Sequence, residues 1–142
     1  MAKWMMGNES VVRQARLLLV EDDPTMAEVT AELLQNLGHA VVHAPSVRKA
    51  MDLVRGGGFD LALLDVHVDK HLVFPVAQKL ENAGVPYIFM SGTPGTDIPP
   101  EFHTRPFLFK PYRFKELRRV LRRRRVERDG LERLGGAPAR RR

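Results

Sequence analysis

Acidic residues, a serine and a lysine stand directly after short apolar runs of this chain. Because clustered carboxylates repel one another, they share a site only when a cation is present, and oxygen ligands without cysteine favour Mg²⁺. A carboxylate can also attack phosphorus, while a lysine and a hydroxyl bind the phosphoryl oxygens. The pattern therefore predicts a site for phosphoryl transfer, in which Asp65 is placed to act as the nucleophile. The residues, in chain order, are Glu21, Asp22, Asp23, Asp65, Ser91 and Lys110.

The elements that must position these residues are short strands alternating with amphipathic helices. Each apolar run has the length and composition of a buried parallel strand. Asp23-Pro24 and Ser46 are typical of helix starts, and Gly38 and Gly84 are typical of helix ends. The alternation predicts an open parallel sheet with helices on both faces, where ligands gather at the carboxyl ends of the strands. The predicted strands are residues 17–20, 39–44, 61–64, 87–90 and 107–109.

Three features fit less directly into this scheme. Residues 92–106 contain four prolines and two glycines, which leaves little room for a helix before the last strand. The glycines at 56–58 follow a helix and precede a strand, the wrong order for a phosphate-binding loop, so we expect a cap and a turn there. The five histidines lie in different elements without metal-ligand spacing, and we expect them at the surface or in loops.

Four strings, LLLVEDDP, FDLALLDV, YIFMSG and FLFKPY, resemble the receiver domain of bacterial two-component response regulators of the stand-alone type. They occur in the family's order, and the resemblance covers about residues 16–126. It implies a flavodoxin-like (CheY-like) doubly wound α/β fold with a five-stranded parallel sheet in the order 2-1-3-4-5. The short, proline-rich spacing before the last strand further implies that the fourth helix of this fold is reduced or missing.

The resemblance also implies a role for each site residue. Asp65 corresponds to the phosphorylated aspartate, and Ser91 and Lys110 to the catalytic hydroxyl and amine. Ser91 also corresponds to the switch hydroxyl, and Phe107 corresponds to the aromatic switch residue. The family's lysine, here Lys110, is usually followed by a cis proline, here Pro111. After Asp65, the sequence Val-Asp-Lys-His at 68–71 replaces the usual prolines or glycines. The implied Mg²⁺ ligands are Glu21, Asp22, Asp65 and the backbone carbonyl of His67.

A function follows from these roles as an expectation. The protein would accept a phosphoryl group from a histidine kinase or a histidine phosphotransfer protein in an Mg²⁺-dependent reaction, and then change its affinity for a downstream protein. It would be a signalling switch that at most hydrolyses its own phosphate, not a metabolic enzyme. A phosphatase of the haloacid dehalogenase type also uses a strand-end aspartate and Mg²⁺, but it needs a second acid two residues later, where this chain has His67.

Composition limits the protein's class and compartment. The chain has 142 residues, 44% of them hydrophobic, and no cysteine, which excludes disulfides, thiolate catalysis and cysteine-ligated metal centres. No apolar window is long enough for a membrane span, and the N-terminus does not resemble a signal peptide, so we expect a cytoplasmic protein. We expect a flexible arm at 1–14, a receiver domain at 15–126 and a basic tail at 127–142, forming a monomer or weak dimer.

The charge is concentrated at the C-terminal end. Residues 115–142 hold 12 basic and 4 acidic residues, a net of +8, whereas the preceding residues carry a net of −2. An alternative interpretation is therefore a receiver-like interaction module that is not phosphorylated and binds an acidic protein or nucleic acid through the Arg-rich helix. Nucleic acid is the less favoured partner, because no aromatic residues interleave with the arginines for base stacking.

Overall fold

The computed structural model describes residues 14–92 and 98–122, and its centre is a five-stranded parallel sheet. The strands are β1 Arg16–Val20, β2 Ala40–Ala44, β3 Leu61–Asp65, β4 His67–Val68, β5 His71–Leu72, β6 Tyr87–Ser91 and β7 Phe107–Phe109. Strands β4 and β5 form a separate antiparallel hairpin, and the sheet order of the others is β2-β1-β3-β6-β7. This arrangement confirms the predicted doubly wound α/β fold.

The helices are α1 Pro24–Asn36, α2 Val47–Gly56, α3 Phe74–Ala83 and α4, which begins at residue 114 and continues through residue 122. The first two begin where the sequence predicts. The carboxylate of Asp23 accepts hydrogen bonds from the first backbone amides of α1, and the hydroxyl of Ser46 accepts one from the amide of Lys49 in α2. Gly57, with φ of 78°, follows α2, in agreement with a cap and turn there.

The two faces of the sheet carry separate apolar cores. In β1, Leu18 and Val20 pack in the core that contains residues of α2 and α3, whereas Leu17 and Leu19 pack in the core that contains residues of α1 and α4. Strands β3 and β6 are buried along their whole length. Each buried leucine or valine stabilises the fold by about 1.5–3 kcal/mol, so the central strands form a rigid base for the residues at their ends.

The β4–β5 hairpin lies between β3 and α3, where the sequence analysis predicts no strand. Its turn residues Asp69 and Lys70 have φ of 48° and 70°, the left-handed conformation that a type I′ turn requires at both positions. Such turns favour Asn-Gly, so Asp-Lys is a poor sequence signal for one. Val68 and Val73 are fully buried on either side of the turn and attach the hairpin to the core.

Among the described residues between β6 and β7, the regular structure is one short 3₁₀ turn at Pro100–Phe102. The ring of Phe102 is buried and stacks on Phe74 with a centroid distance of 5.5 Å. This finding confirms that the helix the fold usually has here is reduced. Phe109, on the edge strand β7, is 56% exposed.

A polar cluster fastens the end of this connection to the amino-terminal end of β6. The guanidinium of Arg105 donates to Glu81 Oε1 at 2.9 Å and to the hydroxyl of Tyr87 at 3.1 Å. The Tyr87 hydroxyl in turn donates to Glu81 Oε1 at 2.7 Å. One acid, one base and one phenol therefore satisfy one another at this end of the strand.

Some predictions fall on residues that the structure does not describe. The predicted tail at 127–142 and nearly all of the predicted arm at 1–14 lie outside the described residues, as do the arginines after residue 122. On α4, Arg118, Arg119 and Arg122 are exposed, so the interaction module remains a prediction. Within the described ranges, no helix has the length and apolarity needed to cross a membrane.

The expectation for the histidines is wrong at His39. This residue is buried, and its Nδ1 accepts a hydrogen bond from the amide of Ala15 at 3.2 Å. A neutral imidazole that is hydrogen-bonded tolerates burial far better than an unpaired one. The other four histidines, His43, His67, His71 and His103, are exposed as expected.

Candidate functional site

The predicted site residues lie at the carboxyl edge of the sheet. The parallel register aligns Val20 with Leu64, Asp65 with Met90, and Ser91 with Phe109. The residues that follow each strand therefore emerge at the same edge, as the sequence analysis predicts. Glu21, Asp22, Asp65, Ser91 and Lys110 occupy this edge, and they come from four different strand ends.

Lys110 is the cation of the site. Its Nζ donates to Glu21 Oε1 at 2.8 Å and to Asp65 Oδ2 at 3.2 Å. The peptide bond between Lys110 and Pro111 is cis, as the resemblance implies. Burial alone would lower the pKa of Lys110, but the hydrogen bond and charge of Glu21 and the charge of Asp65 outweigh it and raise the pKa above its ordinary value. Lys110 therefore stays an ammonium at neutral pH.

Three carboxylates converge beside this lysine. Glu21, Asp22 and Asp65 each offer an oxygen within 4.8 Å of the others. Glu21 is 2% exposed and Asp65 is 8% exposed, whereas Asp22 is exposed to solvent. An oxygen-only donor set that is open on one side suits Mg²⁺, which keeps several of its waters and is held by one or two carboxylates. These residues therefore fit the predicted metal.

The ionised form of Asp65 is disfavoured in this cluster. Its burial, followed by its hydrogen bond with Glu21 and the charge of Glu21, raises the pKa of Asp65 to about 7, although Lys110 acts in the opposite direction. Near neutral pH, one ammonium is therefore insufficient to keep all the carboxylates ionised. A divalent cation would supply the missing positive charge, and it would leave Asp65 deprotonated and able to act as a nucleophile.

The backbone of Glu21 is also held in place. The amide of Glu21 donates to the carbonyl of Ala44 at 3.1 Å, and the carbonyl of Glu21 is 2.7 Å from Nε2 of His43. Its side-chain Oε2 accepts from the amide of Asp23 at 3.2 Å. These contacts restrict the backbone and side-chain conformations of Glu21. The sequence analysis did not identify His43 as one of its neighbours.

Asp22 is held by a group that the sequence analysis also missed. The amide of Asp69, in the hairpin turn, donates to Asp22 Oδ2 at 2.9 Å. His67 lies on β4 with an exposed side chain, two residues after Asp65. The role of its carbonyl as a metal ligand stays a prediction.

Ser91 and Phe107 lie on the other flank of the site. Ser91 is buried at the end of β6, and its carbonyl accepts a hydrogen bond from the amide of Lys110 at 2.8 Å. Phe107 is partly buried, with its ring centroid 4.8 Å from that of Phe109. Their roles in switching stay predictions.

Tyr112 connects the segment that carries Lys110 to helix α1. Its hydroxyl lies 2.6 Å from the hydroxyl of Thr30, and it donates to the sulfur of Met90 at 3.8 Å. The position of Tyr112 in the sequence, 82 residues after Thr30, does not indicate this contact. The contact restrains the segment that carries Lys110.

Residues 17–122 match the family model of the response regulator receiver domain. The transcriptional regulatory protein DltR of Streptococcus agalactiae is 33% identical over 78 residues, which make up 54% of this chain and 35% of that protein. The gliding motility regulatory protein of Myxococcus xanthus is 32% identical over 83 residues, 56% of this chain and 11% of that protein. The chain therefore spans about a third or less of the length of these curated relatives.

Solved structures show the same architecture. The solution structure of SdrG from Sphingomonas melonis has 30% identity and a TM-score of 0.69, and the match covers 76% of this chain and 93% of that one. The response regulator TrrA from Thermotoga maritima, crystallised with Mg(2+)-BeF, has 21% identity and a TM-score of 0.70, with coverage of 77% and 97%.

Proposed function

Since the chain belongs to the response regulator receiver domain family, we propose that it is a phosphorylation switch whose phosphoacceptor is Asp65. The observation that carries the proposal is the contact of Asp65 with the Lys110 ammonium inside a cluster of three carboxylates. A histidine kinase or a histidine phosphotransfer protein is the proposed donor. The proposed role is signalling, with hydrolysis of its own phosphate as the only turnover.

The proposed reaction is an in-line attack on phosphorus. A carboxylate oxygen of Asp65 forms the new P–O bond while the P–N bond to the donor imidazole breaks, and that imidazole leaves with the bonding electron pair. Lys110 binds an oxygen of the phosphoryl group as charge accumulates on it. Glu21, Asp22 and Asp65 would hold Mg²⁺, which would supply further positive charge to these oxygens.

Phosphorylation would alter the contacts of the same residues. Lys110 now divides its donors between Glu21 and Asp65, and a phosphoryl group on Asp65 would compete for them with three oxygens. Ser91 would donate to another of these oxygens. Because the Lys110 amide is bonded to the Ser91 carbonyl, a shift of either residue moves the other, and this coupling would change the surface that a downstream protein recognises.

The test is incorporation of phosphate from a small phosphodonor in the presence of Mg²⁺. We expect the native chain to be labelled and Asp65→Asn to show no label, because an amide cannot form the acyl phosphate. Asp52→Asn, at an exposed aspartate on α2, is the matched control and should be labelled normally. Labelling of Asp65→Asn at the native level would contradict the proposal, and removal of Mg²⁺ should abolish labelling of the native chain.

A further inference from the structure

The β4–β5 hairpin contacts the metal-binding end of the site through its turn. We propose that the hairpin is a positioning element, and that its Asp69 amide holds the Asp22 carboxylate in the orientation that binds Mg²⁺. The inference rests on the proposed function, because it concerns the metal site of that same reaction. It adds Asp69, which is not one of the predicted ligands, as a determinant of Mg²⁺ affinity.

Asp22 needs such a restraint more than the other two carboxylates do. Glu21 and Asp65 are buried and bonded to Lys110, so packing and ion pairing fix their side chains. Asp22 is exposed to solvent. Among the described residues, the group that donates a hydrogen bond to its carboxylate is the amide of Asp69, which lies 2.9 Å from Oδ2. An exposed aspartate without this bond would sample several rotamers, and ordering it would cost conformational entropy on metal binding.

The bond leaves room for a metal. An ionised carboxylate offers about four lone-pair sites on two oxygens, and the Asp69 amide uses one of them at Oδ2. The remaining sites of Asp22 stay within reach of the cluster formed with Glu21 and Asp65. The amide therefore orients the carboxylate without displacing the ion that it would bind.

The direction of the amide depends on the type of turn. Asp69 and Lys70 both have positive φ, which residues with side chains adopt rarely. The hairpin persists because Val68 is buried and because the amide of Val73 donates to the carbonyl of Val66 at 3.0 Å. Packing of the flanking valines therefore maintains a turn that its own residues disfavour.

The same hairpin sets the direction of the predicted carbonyl ligand. Val68 pairs with His71 across the two-residue turn, and the Val73–Val66 bond forms two positions further from the turn. In an antiparallel ladder, hydrogen-bonded and non-hydrogen-bonded pairs alternate. The intervening pair of His67 and Leu72 is therefore non-hydrogen-bonded, and the backbone carbonyl of His67 points away from β5.

Two double variants with the same net charge test the proposal. Asp69→Asn with Lys70→Gly installs the dipeptide that type I′ turns favour most, and Asp69→Val with Lys70→Val installs β-branched residues that disfavour positive φ. Each removes one acidic and one basic side chain, so the two variants differ in turn geometry and not in charge near the metal. The dissociation constant of Mg²⁺ is measured by amide NMR titration in each.

We expect the Asn-Gly variant to bind Mg²⁺ at least as tightly as the native chain, and the Val-Val variant to bind about three- to tenfold more weakly, the loss typical of one hydrogen bond. Equal affinities would overturn the proposal. Tighter binding by the Val-Val variant would also overturn it, because the amide would then hold Asp22 away from the metal. The same spectra show whether β1 and β3 remain folded.

A metal-free measurement tests the contact itself and covers the case in which the Val-Val variant does not fold. We expect hydrogen exchange of the Asp69 amide to quicken about fivefold or more in Asp22→Ala, which removes the acceptor. Unchanged exchange would contradict the contact. Phosphodonor labelling then separates the two proposals, because a difference in Mg²⁺ affinity without labelling of any chain would sustain the positioning role and defeat the proposed function.

Discussion

The two ends of strand β6 hold polar clusters of opposite character. At the amino-terminal end, Glu81, Tyr87 and Arg105 satisfy one another with one acid and one base. At the carboxyl end, three carboxylates meet one ammonium, and the pKa of Asp65 rises to about 7. A balanced cluster fastens two elements together, whereas an excess of carboxylates carries an electrostatic cost that a bound cation would lower.

The largest expected effect that separates the two ends is on phosphotransfer. Lys110→Ala removes the proposed donor to the phosphoryl oxygens and should slow labelling by a small phosphodonor about 100-fold, the loss typical of one preorganised donor. Lys115→Ala, at an exposed position on α4, is the control and should label at the native rate. A native rate for Lys110→Ala would show that the carboxyl-end cluster is as structural as the other.

The next largest effect is on stability as a function of pH. Because the folded state raises the pKa of Asp65 from 3.8 to about 7, the metal-free protein binds more protons than the unfolded chain and should lose stability as pH rises through this range. Asp65→Asn removes this penalty together with the ion pair to Lys110, and it should raise the free energy of unfolding at pH 8 by at most about 4 kcal/mol, the equivalent of the whole pKa shift. Denaturant unfolding measures the change, and Asp52→Asn should leave the pH dependence intact.

The direction of this effect is diagnostic. If Asp65→Asn destabilises the metal-free protein at pH 8, the carboxylate is paired as favourably as those of an ordinary salt bridge, and the contrast between the two ends of β6 disappears. Added Mg²⁺ should stabilise the native chain and not the variant, because binding to the folded state alone raises its stability.

The smallest effect belongs to the balanced end. Tyr87→Phe removes the hydroxyl shared by Glu81 and Arg105, and it should cost about 1 kcal/mol at pH 7 without affecting labelling. Burial, followed by the hydrogen bond to Glu81, raises the pKa of Tyr87 to about 12. The native chain should therefore lose stability relative to the variant between about pH 10 and about pH 12, as thermal melts would show. A loss of labelling would instead connect this cluster to the site.

The fold and the main site residues could be predicted because their signals are local. Apolar runs of strand length mark β1, β3 and β6, and parallel pairing brings their carboxyl ends together without any knowledge of side-chain packing. Asp23 and Ser46 cap helices through contacts within three residues. The meeting of Glu21, Asp65 and Lys110 at one edge of the sheet therefore follows from their positions at strand ends.

What the sequence did not reveal depends on distant partners. Asp69-Lys70 lacks the glycine that signals a type I′ turn, and the turn is stabilised by valines that become neighbours only in the folded core. His39 is buried because the Ala15 amide donates to its ring, a contact across 24 residues. No periodicity encodes such contacts, since each depends on the final arrangement of the sheet.

The ion pair between Glu21 and Lys110 joins residues that are 89 positions apart. A contact of such long range carries the entropic cost of closing a long loop, and it needs the intervening chain to be ordered to offset that cost. The proposed phosphoacceptor, Asp65, therefore has its lysine partner only in a chain whose first and last strands belong to the same sheet. The proposed signalling activity would thus be confined to the completely folded polypeptide.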